Sequence, residues 1–298
     1  MVNAGLSTEL LRRLEQLQLV ARRYAKSPLR GERASRARGH SVEFADYRDY
    51  VSGDDLRYLD WSLYGRLDRL FIRLYEEERE LPVTLFLDAS ESMSFGEPRK
   101  FDFARQIVAA VAHVALCGFD RVSVRVFPDR EVNRKAQLAI SNVRGRQSSL
   151  RLIRHLNQLV AGERGELNEA LRQGAIESKR VGLAIVVSDL LDESGYRDGL
   201  KALVARGFQV IVVQILSPEE LHPSTFGDLR VVDAETGTVR EVTFGKFHRR
   251  RYQTAVRAYI DQVAEFCTAR GVAFWSVTSD SLIEDLLLRQ MKEGEFWR

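Results

Sequence analysis

Apolar residues recur along this chain in two patterns, one typical of buried strands and the other of amphipathic helices. Strands are predicted over residues 82–88, 122–127, 137–140, 182–189, 208–216 and 272–277. Helices are predicted between and after them, over residues 101–117, 150–159, 166–178, 196–205, 246–269 and 282–291. The longest apolar runs indicate strands buried on both faces. The alternation predicts an α/β fold, with a doubly wound, mostly parallel sheet between two layers of helices.

The first 80 residues follow a different pattern. They predict an N-terminal helix over residues 8–26, an extended segment over 42–50, a short helix over 56–61 and a strand over 70–75. A hairpin is predicted at about residues 225–245. We expect two regions: residues 1–80, with the helix, a basic arm and a β-rich lead-in, and residues 81–298, the α/β domain. We expect the hairpin to pack on the lead-in as a small β platform.

Composition narrows the class of protein. The chain has 298 residues, of which 45% are hydrophobic and 29% charged, as in ordinary globular proteins. No apolar run reaches the ~18 residues of a membrane span, and no charged-then-apolar leader opens the chain. We therefore expect a cytoplasmic protein without a membrane span. Cys117 and Cys267 fall inside helical patterns, which favours reduced thiols over a disulfide or a zinc site.

Charge is concentrated near the N-terminus, although the net charge is only +3. Basic residues dominate residues 22–38, and we expect four of them to contact a partner: Arg30, Arg33, Arg36 and Arg38. This arm could bind nucleic acid or an acidic partner, or it could pair with acidic stretches of the same chain. No aromatic residues alternate with these arginines as base-stacking platforms would. Both alternatives remain open on the sequence.

Four motifs follow one another in the lead-in: residues 31–39 (GERASRARG), 42–50 (VEFADYRDY), 53–61 (GDDLRYLDW) and 76–80 (EEERE). Together they resemble the signature of a bacterial family, domain of unknown function 58 (DUF58), and the similarity continues to Leu286. The resemblance implies a von Willebrand factor type A-like domain with a Rossmann-like three-layer fold. It also implies an interaction module, often encoded beside a MoxR-type AAA+ ATPase, without an established catalytic activity.

One strand end carries residues suited to a hard cation. Asp88, Ser90 and Ser92 have the Asp-x-Ser-x-Ser spacing of the metal-ion-dependent adhesion site of type A domains. One carboxylate and two hydroxyls suit Mg²⁺, or Mn²⁺ or Ca²⁺, which bind oxygen ligands. Few protein charges would then satisfy the ion, so it could also bind a partner's carboxylate. The resemblance places Asp189, after a second buried strand, as the aspartate of the next loop.

This site lacks one residue of the family pattern. A threonine typically precedes the helix that begins Leu-x-x-Ala-Leu, and Gly165 stands at that position before Leu167. Glu166 could substitute only by reaching back towards the metal. We also expect Glu91 and Glu166 to contact a partner. Alternatively, Asp88, Ser90 and Ser92 only cap the following loop and helix.

An enzyme is the remaining alternative. Aspartates at two neighbouring strand ends are also found in Mg²⁺-dependent phosphohydrolases that use an aspartyl nucleophile. Those enzymes need a second acid two residues after the nucleophile as the general acid, and Ser90 occupies that position here. The chain also lacks a P-loop. We therefore expect an interaction module rather than an enzyme.

Overall fold

A computed structural model of the chain describes residues 6–17, 19, 42–77, 80–224, 227–232 and 239–290. The chain forms two compact units, one of Met1–Ser27 with Leu81–Arg298 and one of Pro28–Glu80. The four arginines predicted to contact a partner, Arg30, Arg33, Arg36 and Arg38, lie outside the described residues, so that expectation stays a prediction.

The strands, in chain order, are β1 (Val42–Asp49), β2 (Phe71–Glu77), β3 (Pro82–Asp88), β4 (Arg121–Phe127), β5 (Val143–Arg144), β6 (Leu183–Ser188), β7 (Gln209–Leu216), β8 (Gly227–Val232), β9 (Val239–Phe244) and β10 (Ala273–Thr278). The main sheet has six strands in the order β10-β7-β6-β3-β4-β5. Its strands are parallel except β5, which pairs antiparallel with β4. This arrangement confirms the predicted doubly wound sheet.

The α-helices, in chain order, are α1 (Thr8–Leu14), α2 (Trp61–Leu67), α3 (Lys100–Cys117), α4 (Glu131–Ala139), α5 (Ser149–Leu156), α6 (Leu167–Glu177), α7 (Arg197–Arg206), α8 (Pro218–Leu221), α9 (Lys246–Thr268) and α10 (Ile283–Asp285). Short 3-10 turns cover Leu56–Tyr58, Glu91–Ser94 and Arg146–Ser148, and a π-helical turn covers Leu286–Gln290. None of the helices in the described part of the chain is both long and apolar enough to cross a membrane.

Strand β3 shows why the main sheet has two helical layers. Successive side chains of a strand point to opposite faces. Val83, Leu85 and Leu87 therefore pack in one core with helices α1, α3 and α5, whereas Phe86 packs in the other core with α6, α7 and α9. A strand buried on both faces needs an apolar residue at nearly every position, as residues 82–88 provide.

One predicted strand is wrong. Residues 137–140 were expected to be extended, but residues 131–139 form helix α4. Asn133, Ala136 and Ile140 are buried, and their spacing of three and four residues is that of one helix face. The partner of β4 is instead the two-residue strand β5.

The N-terminal helix is shorter than predicted within the described residues. Helix α1 covers Thr8–Leu14 and begins with Ser7, whose Oγ accepts a hydrogen bond from the backbone N–H of Leu10 at 3.0 Å. Its buried leucines join the core beside α3. We expected this helix to belong to the region of residues 1–80. In the structure it lies in the compact unit that also contains the α/β domain.

The Pro28–Glu80 unit contains the antiparallel pair β1 and β2 and the short helix α2. Asp54 forms an ion pair with Arg48 at 2.7 Å, and Asp60 accepts the N–H of Ser62 at 2.9 Å to cap α2. Strands β8 and β9 form the predicted hairpin as a separate two-stranded sheet. The packing of that hairpin on the lead-in stays a prediction.

Candidate functional site

The sheet changes winding direction between β3 and β6. The chain leaves β3 towards β4 through α3, on one face, and leaves β6 towards β7 through α7, on the other face. The two loops therefore diverge at the carboxyl ends of the two strands, the place where open α/β sheets bind ligands, and we call this region the strand-end crevice. Asp88 ends β3 and Asp189 follows β6, so both predicted aspartates lie in this strand-end crevice.

Asp88 is buried, and neutral groups hold both of its carboxylate oxygens. Its Oδ1 accepts the N–H of Ser90 at 2.9 Å, and its Oδ2 accepts the hydroxyl of Ser188 at 2.5 Å. Burial, together with the negative charge of Asp189, raises the pKa of Asp88 to about 7. Near neutral pH this group is therefore divided between its acid and its carboxylate forms.

The serines of the predicted site lie together in the loop after β3. The Oγ atoms of Ser90 and Ser92 are 3.1 Å apart, with Ser90 buried and Ser92 half-buried. The segment before α6 runs beside this loop: Gly162 donates its N–H to the carbonyl of Ala89, and Glu91 donates its N–H to the carbonyl of Glu163, both at 2.8 Å. The structure thus brings together two of the loops that the sequence assigned to the site, the loop after β3 and the segment before α6.

Asp189 has a charged partner that the sequence analysis did not anticipate. The ammonium of Lys100 donates to Asp189 Oδ2 at 2.7 Å and to Glu220 Oε1 at 2.6 Å. The Lys100 side chain is 0% exposed and that of Asp189 is 1% exposed. The other oxygen of Asp189 accepts the N–H of Leu191 at 3.0 Å. The strand-end crevice thus already contains a cation supplied by the chain.

The ion pairs keep Lys100 charged. Burial alone would lower its pKa, but the charges of Asp189 and Glu220 outweigh that effect, and the net result is a raised pKa. A sequence signal for this role existed. Lys100, Ala104, Ile107 and Val111 are all fully buried and follow one face of α3, so the lysine stands at a core position of an apolar helix.

The two glutamates predicted to contact a partner lie near this crevice. Glu91 is half-buried, and Glu166 is exposed at the residue before α6. The first N–H of α6, from Leu167, donates to Asp192 Oδ2 at 2.9 Å, so Asp192 rather than Glu166 caps this helix. Gly165 provides no side chain at the position where the family pattern has threonine.

These residues do not fit a divalent ion while Lys100 is in place. Every carboxylate oxygen of Asp88 and Asp189 already accepts a hydrogen bond or an ion pair. The ammonium of Lys100, which contacts Asp189 Oδ2, would also repel a divalent ion bound to the same aspartate. The predicted Mg²⁺ site stays a prediction.

The phosphohydrolase alternative also gains little from the geometry. An aspartyl nucleophile needs a carboxylate oxygen that can approach the phosphorus atom. Asp88 is buried, and its oxygens are held by Ser90 and Ser188. The arrangement is suited to holding loops and charges in place rather than to attack on a substrate.

A second group of metal-capable side chains lies between α1 and α3. Single ligand atoms of Glu15, His113 and Cys117 lie within 4.8 Å of one another. The two ring nitrogens of His113 contact Ser149 Oγ at 2.6 Å and the carbonyl of Leu11 at 3.2 Å. Burial lowers the pKa of His113, which favours the neutral ring. These contacts join α1 to α3 and α5.

Taken together, the fold and the strand-end crevice define an α/β protein with a charged cluster where its sheet changes winding direction, between β3 and β6. The chain matches the family described as Protein of unknown function DUF58 over residues 46–262, more than half of its length. The protein therefore belongs to the DUF58 family. That description assigns no catalytic activity.

Sequence similarity to individual relatives covers most of the chain. Uncharacterized protein Mb1516 of Mycobacterium bovis and Uncharacterized protein Rv1480 of Mycobacterium tuberculosis are each 29% identical over 272 residues, which cover 90% of this chain and 84% of the relative. Among solved structures, BatB from Bacteroides thetaiotaomicron is 18% identical, with 72% of this chain and 98% of that chain covered and a TM-score of 0.42. An aerotolerance-related membrane protein from Bacteroides fragilis has a TM-score of 0.37 at 16% identity, with 66% and 91% covered.

Proposed function

We propose that this protein is a non-enzymatic interaction module, similar to von Willebrand type A domains, that engages a protein partner at the carboxyl ends of its central strands. The supporting observation is that the loops at this edge carry exposed apolar side chains. Phe95, in the loop after β3, is 52% exposed, and Leu191, in the loop after β6, is 46% exposed. Large apolar side chains on both sides of a polar crevice are typical of binding surfaces.

We define the strand-end surface as Ser92, Phe95 and Leu191. The buried charges behind it support a binding role, because Asp189 pairs with Lys100 and Asp88 accepts hydrogen bonds from Ser90 and Ser188. Such a cluster fixes the positions of the loops that carry the exposed residues. A preformed surface loses less conformational entropy when a partner binds.

The partner we propose is a MoxR-type AAA+ ATPase. This assignment rests on the family resemblance, since relatives are often encoded beside such an ATPase. Contact through a metal ion held by Asp88, Ser90 and Ser92 is the alternative mode of binding at the same surface. The interaction proposed here requires only the exposed side chains and the hydroxyls.

The test is binding between the purified protein and a purified MoxR-type ATPase of the same organism. Phe95→Asp and Leu191→Asp place a charge on the strand-end surface, so each should weaken binding at least roughly tenfold, or ~1.4 kcal/mol. Isothermal titration calorimetry measures the change directly.

Phe119→Asp is the matched control, because Phe119 is 65% exposed in the loop between α3 and β4, at the opposite edge of the sheet. We expect this variant to bind within about twofold of the wild type. Equal loss in all three variants would contradict a surface at the strand ends. A complete lack of binding by the wild type would remove the ATPase as partner.

A basic surface on α9 favours a second candidate function, the binding of nucleic acid or an acidic partner. Lys246, His248, Arg250 and Arg251 are exposed in the first two turns of that helix. Phosphate binding by such residues weakens steeply with salt. Salt-dependent binding to duplex or single-stranded DNA that disappears in Arg250→Ala/Arg251→Ala would support this function, and salt-independent or absent binding would contradict it.

A further inference from the structure

We propose that the ammonium of Lys100 is the resident cation of the strand-end crevice and that this crevice works without a divalent metal ion. The inference concerns the chain's own charges and does not depend on the identity of any partner. It departs from the magnesium site that the Asp-x-Ser-x-Ser spacing predicts.

The position of the ammonium is determined by rigid elements on both sides. Lys100 is the first residue of the 18-residue helix α3, whose buried face lies against the sheet. Its partner Glu220 belongs to α8, where Ser217 and Glu220 cap each other: the Ser217 N–H donates to Glu220 Oε2 at 2.7 Å. The remaining oxygen of Glu220 is thereby directed to Lys100.

The other partner, Asp189, is held equally firmly. Its backbone carbonyl accepts the side-chain N–H of Gln214 at 3.0 Å, and one carboxylate oxygen accepts the N–H of Leu191. The remaining oxygen faces the ammonium at 2.7 Å. A buried lysine with two positioned carboxylates has the charge-assisted contacts that compensate for its loss of hydration.

The remaining oxygens of the crevice are also engaged. Each oxygen of Asp88 accepts one hydrogen bond, from Ser90 or from Ser188, so a divalent ion would have to share these oxygens with their donors. It would also bind beside a crevice that already holds the positive charge of Lys100. A partner group that reaches this site therefore meets hydroxyl groups, those of Ser90 and Ser92. It would be held by direct hydrogen bonds rather than by a metal bridge.

Binding of Mn²⁺, followed by electron paramagnetic resonance of the free ion, tests the proposal. We expect the wild type to bind no Mn²⁺ that depends on Ser90 and Ser92. Lys100→Ala removes the ammonium and leaves the carboxylates, so it should bind Mn²⁺ at least tenfold more tightly than the wild type. Mn²⁺ should also raise its thermal unfolding midpoint and leave that of the wild type unchanged.

Lys201→Ala is the control, because Lys201 pairs with Asp198 on the exposed face of α7, with the lysine 52% exposed. It should behave like the wild type. Wild-type binding of Mn²⁺ that is lost in Ser90→Ala/Ser92→Ala would overturn the proposal. A folded Lys100→Ala protein without a gain in Mn²⁺ binding would overturn it as well. If Lys100→Ala does not fold, the wild type and the double serine variant decide the question.

Discussion

An aspartate ends β3 and another directly follows β6 at the same edge of the sheet, but the two aspartates differ in the groups that surround them. Asp88 is surrounded by neutral donors, the hydroxyl of Ser188 and the N–H of Ser90. Asp189 contacts the ammonium of Lys100. Burial is similar for both, so the difference lies in the counter-ion.

This comparison shows that a strand-end aspartate does not define a metal site by itself. Helix α3, which follows β3, begins with a lysine that reaches past its own strand to the end of β6. The aspartate of the neighbouring strand is neutralised, whereas Asp88 at the end of β3 keeps an elevated pKa. The order of elements around the point where the sheet changes winding direction therefore decides which aspartate has the ammonium as its partner.

Among substitutions at the two aspartates and their partners, replacement of Lys100 should lower the free energy of unfolding the most. Lys100→Met keeps much of the side-chain volume but leaves the buried Asp189 and the half-buried Glu220 without their counter-ion. Removal of one partner from a buried ion pair costs about 3–5 kcal/mol. Urea denaturation should show that loss in the free energy of unfolding.

Lys201→Met is the matched control for this variant, since it breaks an exposed pair worth about 0–1 kcal/mol. Similar losses for the two lysine variants would mean that Lys100 contributes no more than a surface residue.

Asp88→Asn should have the next largest effect, visible as a change in pH dependence. The raised pKa of Asp88 means that the native state binds more protons than the unfolded state between about pH 4 and the folded pKa of about 7. Wild-type stability should therefore fall as pH rises through this interval, by at most ~1.4 kcal/mol per pH unit from this group.

In Asp88→Asn this contribution disappears, so between pH 4 and pH 8 the variant should gain stability relative to the wild type, by at most about 4 kcal/mol. Denaturation curves at several pH values measure the difference between the two proteins. A difference that does not change with pH would show that Asp88 titrates normally in the folded protein.

Ser188→Ala should have a smaller effect. It removes the hydroxyl that donates to Asp88 Oδ2 and leaves that oxygen buried, which costs about 1–2 kcal/mol. Ser178→Ala is a suitable comparison because Ser178 donates to the neutral carbonyl of Gly174 at the end of α6. Thermal or urea unfolding should show a loss below about 1 kcal/mol for this second variant. Equal losses of stability in the two variants would contradict a stronger hydrogen bond to the carboxyl of Asp88 than to a backbone carbonyl.

Sequence patterns located the strand ends but not the charges between them. The apolar runs over residues 82–88 and 182–189 predicted two buried strands, and their adjacent ends follow from the sheet order. The helical spacing marked Lys100 as a core position of α3, but its contact with Glu220 spans 120 positions. That contact depends on the winding of the whole sheet, so no local pattern contains the pairing. The strand predicted at residues 137–140 was wrong for a local reason. A window of four residues is too short to distinguish one face of a helix from a strand.

The central claim is that Lys100, and not a divalent ion, provides the positive charge of the strand-end crevice. Crystals of the wild-type protein soaked in Mn²⁺ and measured for anomalous scattering test it most directly. The account predicts side-chain density for Lys100 between Asp189 and Glu220 and no anomalous peak beside Ser90 and Ser92. A Mn²⁺ peak within ~2.5 Å of both serine hydroxyls would contradict it.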